Sequence, residues 1–261
     1  MDLEIEGKVA LVLGGGGGLG SAAAARLAAE GARVVIADIH TEALDRTAAS
    51  IAAAGGRCSR LEWDLTDLAS VEGHAREIES TAGAVDILVN ITGGPPPSEV
   101  TGVQGAIWRS SFDHLVLSVI TITDCFLPGM RERGWGRVIT STSSGVVEPI
   151  RSLGLSNTLR SSLVGWSKTL AREVGTDGVT ANVVVPGRIA TGRIDFLDHA
   201  KAEREGVSVA EVSRASTQSI AAGRYGTPAE YADLIAFLAS ARASYITGSM
   251  VRIDGGMLAS V

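Results

Sequence analysis

Aromatic residues make up only 4% of the 261 positions, so the interior has to be built from Ala, Val, Leu and Ile. Cysteine is nearly absent. Cys58 and Cys125 stand far apart without metal-ligand spacing, which excludes a disulfide framework or a metal site and predicts two buried, reduced thiols. The net charge of −6 comes with no basic block and no basic–aromatic interleaving, so nucleic acid is not an expected partner. No apolar run reaches membrane-spanning length. The first residues carry Asp2, Glu4 and Glu6 where a signal peptide needs basic ones, and a soluble cytoplasmic chain with no membrane partner is expected.

Glycine, by contrast, is plentiful: 32 residues punctuate the chain at turns and in one dense run. Between them, short aliphatic runs alternate with helical patterns. Strands are predicted over 8–13, 33–37, 58–63, 85–89, 137–141, 180–185 and 250–253. Helices are predicted over 21–30, 42–54, 71–81, 110–133, 156–173 and 229–239. This alternation implies an α/β single domain over 1–261, a doubly wound fold with one parallel seven-stranded sheet and helices on both faces. Residues 192–222 are polar and only intermittently helical, the pattern of a substrate lid over the strand ends.

The run Leu13-Gly14-Gly15-Gly16-Gly17-Gly18-Leu19-Gly20 sits where the first strand hands over to a helix. Glycines there let a turn tighten and a pyrophosphate approach the backbone, and the helix N-terminus supplies free N–H groups. Asp38 ends the second strand. A carboxylate at that point accepts hydrogen bonds from an adenosine ribose and repels a 2′-phosphate, so NAD(H) is preferred over NADP(H).

These features, with several others in order, resemble the short-chain dehydrogenase/reductase family, whose Rossmann core is implied over almost the whole chain. Gly14, Gly18 and Gly20 are similar to the family's glycine pattern, with Leu13 in place of Thr. Asp64-Leu65 resembles its adenine-contacting Asp, and Asn90-Ile91-Thr92-Gly93 its Asn-Asn-Ala-Gly motif. The segment from Asn182 through Pro186-Gly187-Arg188-Ile189-Ala190-Thr191 resembles the stretch beside the nicotinamide, and Asp254-Gly255-Gly256 the C-terminal signature. The resemblance implies that Gly14, Gly16, Gly17, Gly18, Leu19, Gly20, Asp38, Ile39, Asp64, Leu65, Asn90, Ile91, Thr92, Gly93, Pro186, Gly187, Ile189 and Thr191 line the dinucleotide. It also implies homo-oligomers, dimers or tetramers, formed through the long helices.

The catalytic end departs from that pattern. Register places Ser143 on the family's catalytic Ser, Ser156 on its Tyr, Arg160 on its Lys and Leu115 on its Asn. A Tyr hydroxyl starts near pKa ~10 and a Lys neighbour draws it down, whereas Ser is a far weaker acid and Arg stays protonated. Catalytic Ser143, Ser156 and Arg160 would therefore hold the substrate oxygen by hydrogen bonds and charge. Arg160 would also hold the nicotinamide ribose, and the proton would come from water or the substrate. The expected activity is NAD(H)-dependent hydride transfer between a secondary alcohol and a ketone, 3-oxoacyl-reductase-like. The alternatives are a lyase- or dehalogenase-like reaction and a catalytically silent NAD-binding protein. Arg188, Arg193 and His199 lie in or near the presumed lid, His114 neighbours Leu115, and Arg151 lies in the loop between Ser143 and Ser156. Each reads first as a solvated or structural residue, and the arginines around one mouth suit a small anionic substrate. Lys168 reads as a surface or packing residue.

Overall fold

The structure, a computed structural model, describes residues 1–260. Its centre is a seven-stranded sheet in the order β3-β2-β1-β4-β5-β6-β7. The strands are β1 (Val9–Leu13), β2 (Arg33–Asp38), β3 (Arg57–Glu62), β4 (Ile87–Asn90), β5 (Gly136–Ser141), β6 (Val179–Pro186) and β7 (Met250–Ile253), and every pairing is parallel. The expected fold class is the observed one.

Period-two alternation divides the central strands between two cores. In β1, Ala10 and Val12 join the cluster built with α1 (Gly18–Ala29), α2 (Thr41–Ala53) and α9 (Pro228–Ala239). Val9, Leu11 and Leu13 point the other way, into the cluster of α3 (Val71–Thr81), α5 (Ser118–Glu132) and α6 (Gly154–Val174). Both faces are covered, which is why β1 reads as an unbroken apolar run. On the first face Ala23, Ala24 and Ala28 of α1 meet Ala236 and Ala239 of α9; side chains this short let the two helices approach closely. Thr227 caps α9 through a capping box with Glu230, and Pro228 occupies its first turn, as the chemistry of helix starts predicts.

Boundaries moved at three places that matter. Helix α1 begins at Gly18 rather than 21, because the glycine loop itself winds into the first turn. The helix predicted at 110–133 begins earlier, as α4 (Gly105–Phe112), and reaches α5 through one π-helical turn, Asp113–Leu117. Together they form a continuous helix, Gly105–Glu132, in which one 18-residue window reaches a mean hydropathy of 1.3, long and apolar enough to cross a membrane by length and composition. The expectation that no such stretch exists was wrong: Asp113 and Asp124 interrupt the apolar run, and a long helix averages over them. Here Leu115, Val119, Ile122 and Phe126 bury that helix against the sheet and α6. The segment 192–222 contains two helices, α7 (Gly192–Glu205) and α8 (Val209–Gln218).

Cys58 and Cys125 are free thiols, as expected, but half-buried rather than buried. Cys58 lies on β3, an edge strand most of whose side chains face solvent.

Candidate active site

Strand order reverses between β1 and β4, and the carboxyl ends of the strands there open on a cleft of about 830 Å³. Such a switch point is where open α/β sheets bind ligands. The glycine loop forms its floor, and all of its glycines except Gly17 are too crowded to carry a Cβ without a shift. Gly14 adopts φ +67°, and a Cβ on it would overlap the Ile91 carbonyl oxygen. A Cβ on Gly20 would overlap the Gly14 carbonyl oxygen, and one on Gly18 would come within 2.9 Å of Thr191 Cγ2. Gly17, in contrast, has room and faces the cleft. It caps α1 with no side-chain hydrogen bond, and the first turn carries no acidic residue. The N–H groups and dipole of α1 are thus offered to an anion at the cleft.

The end of the cleft beside β2 and β3 is acidic. Asp38 is held at the wall by two backbone donors: Gly16 N–H to Oδ2 at 3.1 Å and His40 N–H to Oδ1 at 3.0 Å. Hydrogen bonds from the Thr66 backbone and hydroxyl hold the Asp64 carboxyl below its usual range, and His114 across the cleft adds to this. Two buried polar atoms of the lining, Trp63 Nε1 and Thr92 Oγ1, find no partner in the protein. Buried polar groups are rarely left unpaired, and this open glycine cradle, uncapped helix and orphaned pair fit a dinucleotide.

Most of the expected cofactor residues line this one cleft: Gly14, Gly17, Gly18, Leu19, Gly20, Asp38, Ile39, Asp64, Leu65, Ile91, Thr92, Gly93, Pro186, Gly187, Ile189 and Thr191. Gly16 and Asn90 are not brought to its wall. Gly16 packs behind Asp38. The Asn90 amide is turned into the protein, donating to Thr123 Oγ1 at 3.4 Å and Thr140 Oγ1 at 3.3 Å, so it braces β4 against β5 and α5. Trp63, Ser141, Thr142, Leu153, Ile194 and Leu197 also line the cleft and went unrecognised in the sequence. Trp63 precedes Asp64 and could have been found by register, whereas Leu153 carries no local signal.

At the other end stand Ser143, Ser156 and Arg160, all lining the cleft. Ser143 follows β5 in extended conformation and accepts the Gly145 N–H at 3.2 Å. Ser156 and Arg160 are one turn apart on α6 and therefore share a face. Arg160 is buried. Its Nη1 donates to Ser141 O at 3.3 Å, and its Nη2 to Thr92 O at 3.1 Å and Gly93 O at 2.9 Å. No carboxylate pairs with it among the described residues. Burial pushes its pKa down to about 10, and Arg193 nearby pushes the same way, so it remains a cation at neutral pH. The Tyr231 hydroxyl, from α9, lies near Ser141 and Arg160 but meets no partner in hydrogen-bond geometry, and burial raises its pKa. Leu115 sits at 0% exposure in an apolar cluster with Leu155, Leu159 and Leu163. Its place in the π-helical turn, beside the cleft-lining His114, is therefore dry and offers no polar anchor. Burial lowers the His114 pKa, and the Arg160 charge lowers it further.

The other residues singled out near the mouth separate cleanly. Arg193 lines the cleft. Arg188 is engaged with Asp198 at 2.5 Å and stacks on the Tyr225 ring. His199 is exposed, its Nδ1 2.7 Å from the Asp195 carbonyl, and Arg151 is exposed. Lys168 donates to Gly248 O at 3.0 Å, a packing role as expected.

Comparison with known proteins agrees with this geometry. A family model described as enoyl-(acyl carrier protein) reductase matches residues 15–258. The chain is 35% identical to the 3-oxoacyl-[acyl-carrier-protein] reductase FabG of Escherichia coli over 98% of this chain and 99% of that protein. It is 34% identical to the short-chain reductase protein NovJ of Streptomyces niveus, covering 95% of this chain and 93% of NovJ. L-sorbose reductase of Gluconobacter frateurii, solved with NADPH and L-sorbose, superposes with a TM-score of 0.94 at 30% identity over 100% of both chains. The chain belongs to the short-chain dehydrogenase/reductase family.

Proposed function

We propose that the protein is an NAD(H)-dependent oxidoreductase that transfers hydride between the nicotinamide and a secondary alcohol or ketone. The cleft carries this reading: a dinucleotide-shaped floor leads to two serine hydroxyls and one protonated guanidinium. The pyrophosphate would lie over Gly17 and the N-terminus of α1, with the adenosine against Asp38, Asp64 and Leu65. Thr92, Gly93, Pro186, Gly187, Ile189 and Thr191 would flank the nicotinamide. When bound, the nicotinamide supplies or accepts the hydride.

The protein's own task is then the substrate oxygen. Ser143 and Ser156 donate hydrogen bonds to it, and Arg160 holds positive charge beside it as negative charge develops. Arg160 has committed three of its N–H donors to backbone carbonyls and retains two. It thus braces the ends of β4 and β5 while presenting its charge. No tyrosine lines this cleft among the described residues, so on this reading the proton reaches the oxygen from water or from the substrate itself.

NAD(H) over NADP(H) rests on Asp38. Its carboxylate is fixed where a 2′-phosphate would sit, and no Arg or Lys lines that end of the cleft. The relative solved with NADPH makes this a property to test in this chain. The segment 192–222 acts as the lid, since Gly192, Arg193, Ile194 and Leu197 of α7 close over the cleft. Free thiols suit a reducing cytoplasm, and the exposed Ile107 and Phe112 on α4 suit a homodimer or tetramer.

The test is direct. Tryptophan fluorescence should be quenched by NADH and far less by NADPH. A panel of ketones and alcohols followed by NADH absorbance should then show turnover. No NADH binding would sink the reading, and binding without any turnover would favour the silent NAD-binding protein.

A further inference from the structure

The charges lining the cleft are segregated. Its only carboxylates, Asp38 and Asp64, stand at the adenosine end, and its only guanidiniums, Arg160 and Arg193, at the lid end. Neither arginine has a carboxylate partner among the described residues, although Arg188 a few residues earlier has one. Arg160 is 6% exposed. Arg193, in the first turn of α7, is half-buried, donates through Nη2 to Pro95 O at 2.8 Å, and leans over the Phe196 ring at 5.5 Å. Gly94 makes room for it: a Cβ there would come within 2.8 Å of the guanidinium. One hydrogen bond to Pro95 leaves four of its five N–H donors for something else.

We propose that the lid end of the cleft is a carboxylate subsite, in which Arg193 grips the acid group of an oxo- or hydroxy-acid substrate while its carbonyl or hydroxyl lies at Ser143, Ser156 and Arg160. This rests on the oxidoreductase reading and names its substrate class. Burying two cations near each other is costly without an anion; desolvation lowers the Arg193 pKa, and Arg193 in turn lowers that of Arg160. A planar guanidinium matches a carboxylate bidentately. Leu153, Ile194 and Leu197 line the same cleft, so the body joining acid and carbonyl is apolar. Because Arg193 sits on α7 and is tied to the loop after β4, a bound acid would also hold the lid shut.

The experiment compares acids with their uncharged esters. Phenylpyruvate, levulinate and acetoacetate, each with its methyl ester, are titrated calorimetrically into the protein with and without NADH, alongside NADH affinity from tryptophan fluorescence. At least one acid should bind more than about 10-fold tighter than its ester. Arg193→Met should abolish that preference, Arg193→Lys should keep part of it, and both variants should bind NADH within about two-fold of the parent. Equal binding of acids and esters, or of neither, overturns the proposal. So does an Arg193→Met variant that loses NADH affinity as steeply as acid affinity, since Arg193 would then serve the cofactor diphosphate. Failure of NADH to bind the parent protein counts against the oxidoreductase reading alone, and the acid-over-ester comparison without NADH still decides the subsite.

Discussion

Arg137 and Arg160 are both buried guanidiniums without a carboxylate partner among the described residues, and they stand at opposite ends of β5. Arg137, at the amino end, donates to the carbonyls of Ser240, Gly136 and Gly178, and its guanidinium lies 4.3 Å from the centre of the Trp135 ring. Arg160, at the carboxyl end, donates to three carbonyls as well but lies against the open cleft. The chemistry is the same and the surroundings differ. At the amino end carbonyls and an aromatic face enclose the cation, so it serves the fold. At the carboxyl end the charge borders a cavity, next to polar atoms that lack partners, and on the proposed reading it serves a ligand. The sheet is thus closed at one end and chemically unfinished at the other.

This contrast can be broken in graded steps. The largest effect should come from Gly20→Ala at the open end, where the new Cβ would overlap the Gly14 carbonyl oxygen. NADH affinity by fluorescence should fall by about 10³-fold as the loop is forced apart. Arg160→Met should come next. Turnover should drop by about 10²-fold for loss of a positioned charge, while urea unfolding shifts by about 1 kcal/mol, because the Gly93 carbonyl at the cleft can turn to water. Equal losses of activity and stability would erase the distinction between the two ends.

Arg137→Met should give the opposite signature: about 2 kcal/mol of stability lost, since its carbonyl partners are left dry, with NADH affinity unchanged. Smaller again, Asp38→Ser should shift the NADH-over-NADPH preference by about 10-fold toward NADPH, read as the ratio of the two dissociation constants. The smallest effect lies away from both ends, at Glu230. Its carboxyl, gripped by Arg224 and the Thr227 N–H, is held down at about 2. A folded value below the unfolded one, about 4.3, favours the fold above that pH and loses the favour as pH falls toward 2. Glu230→Gln should therefore flatten the thermal stability profile between about pH 4.5 and 2, and added salt should mask the difference because the pair is exposed.

Much of this was legible in the sequence because it is local. Strand β7 and helix α3 appear with the predicted bounds: α3 buries Val71, Ala75 and Ile78 at helical spacing, and β7 is a short, mostly apolar stretch that ends before Gly255 and Gly256. The glycine loop and the place of Asp38 at the end of β2 were legible for the same reason: the turn needs glycine, and Asp38 closes a short apolar run. The early start of α1 and the π-helical turn before α5 were hidden, because both depend on how the chain packs against Thr191 and α6 rather than on its own preferences. Asn90 shows the limit within a motif. Its position was readable, but the direction of its side chain was settled by Thr123 and Thr140, 33 and 50 residues away.

The arginines mark the boundary between the two kinds of information. The sequence alone showed a serine at 156 and an arginine one helical turn later at 160, and led to the expectation of an altered proton-donor site. It also showed five basic or imidazole side chains near the mouth and could not rank them. Only the tertiary structure decided that Arg188 is bound to Asp198, that Arg151 and His199 face solvent, and that Arg193 and His114 enter the cleft. The physical reason is that a charge is defined by its nearest opposite charge and its share of water. Both are set by residues brought together from distant parts of the chain.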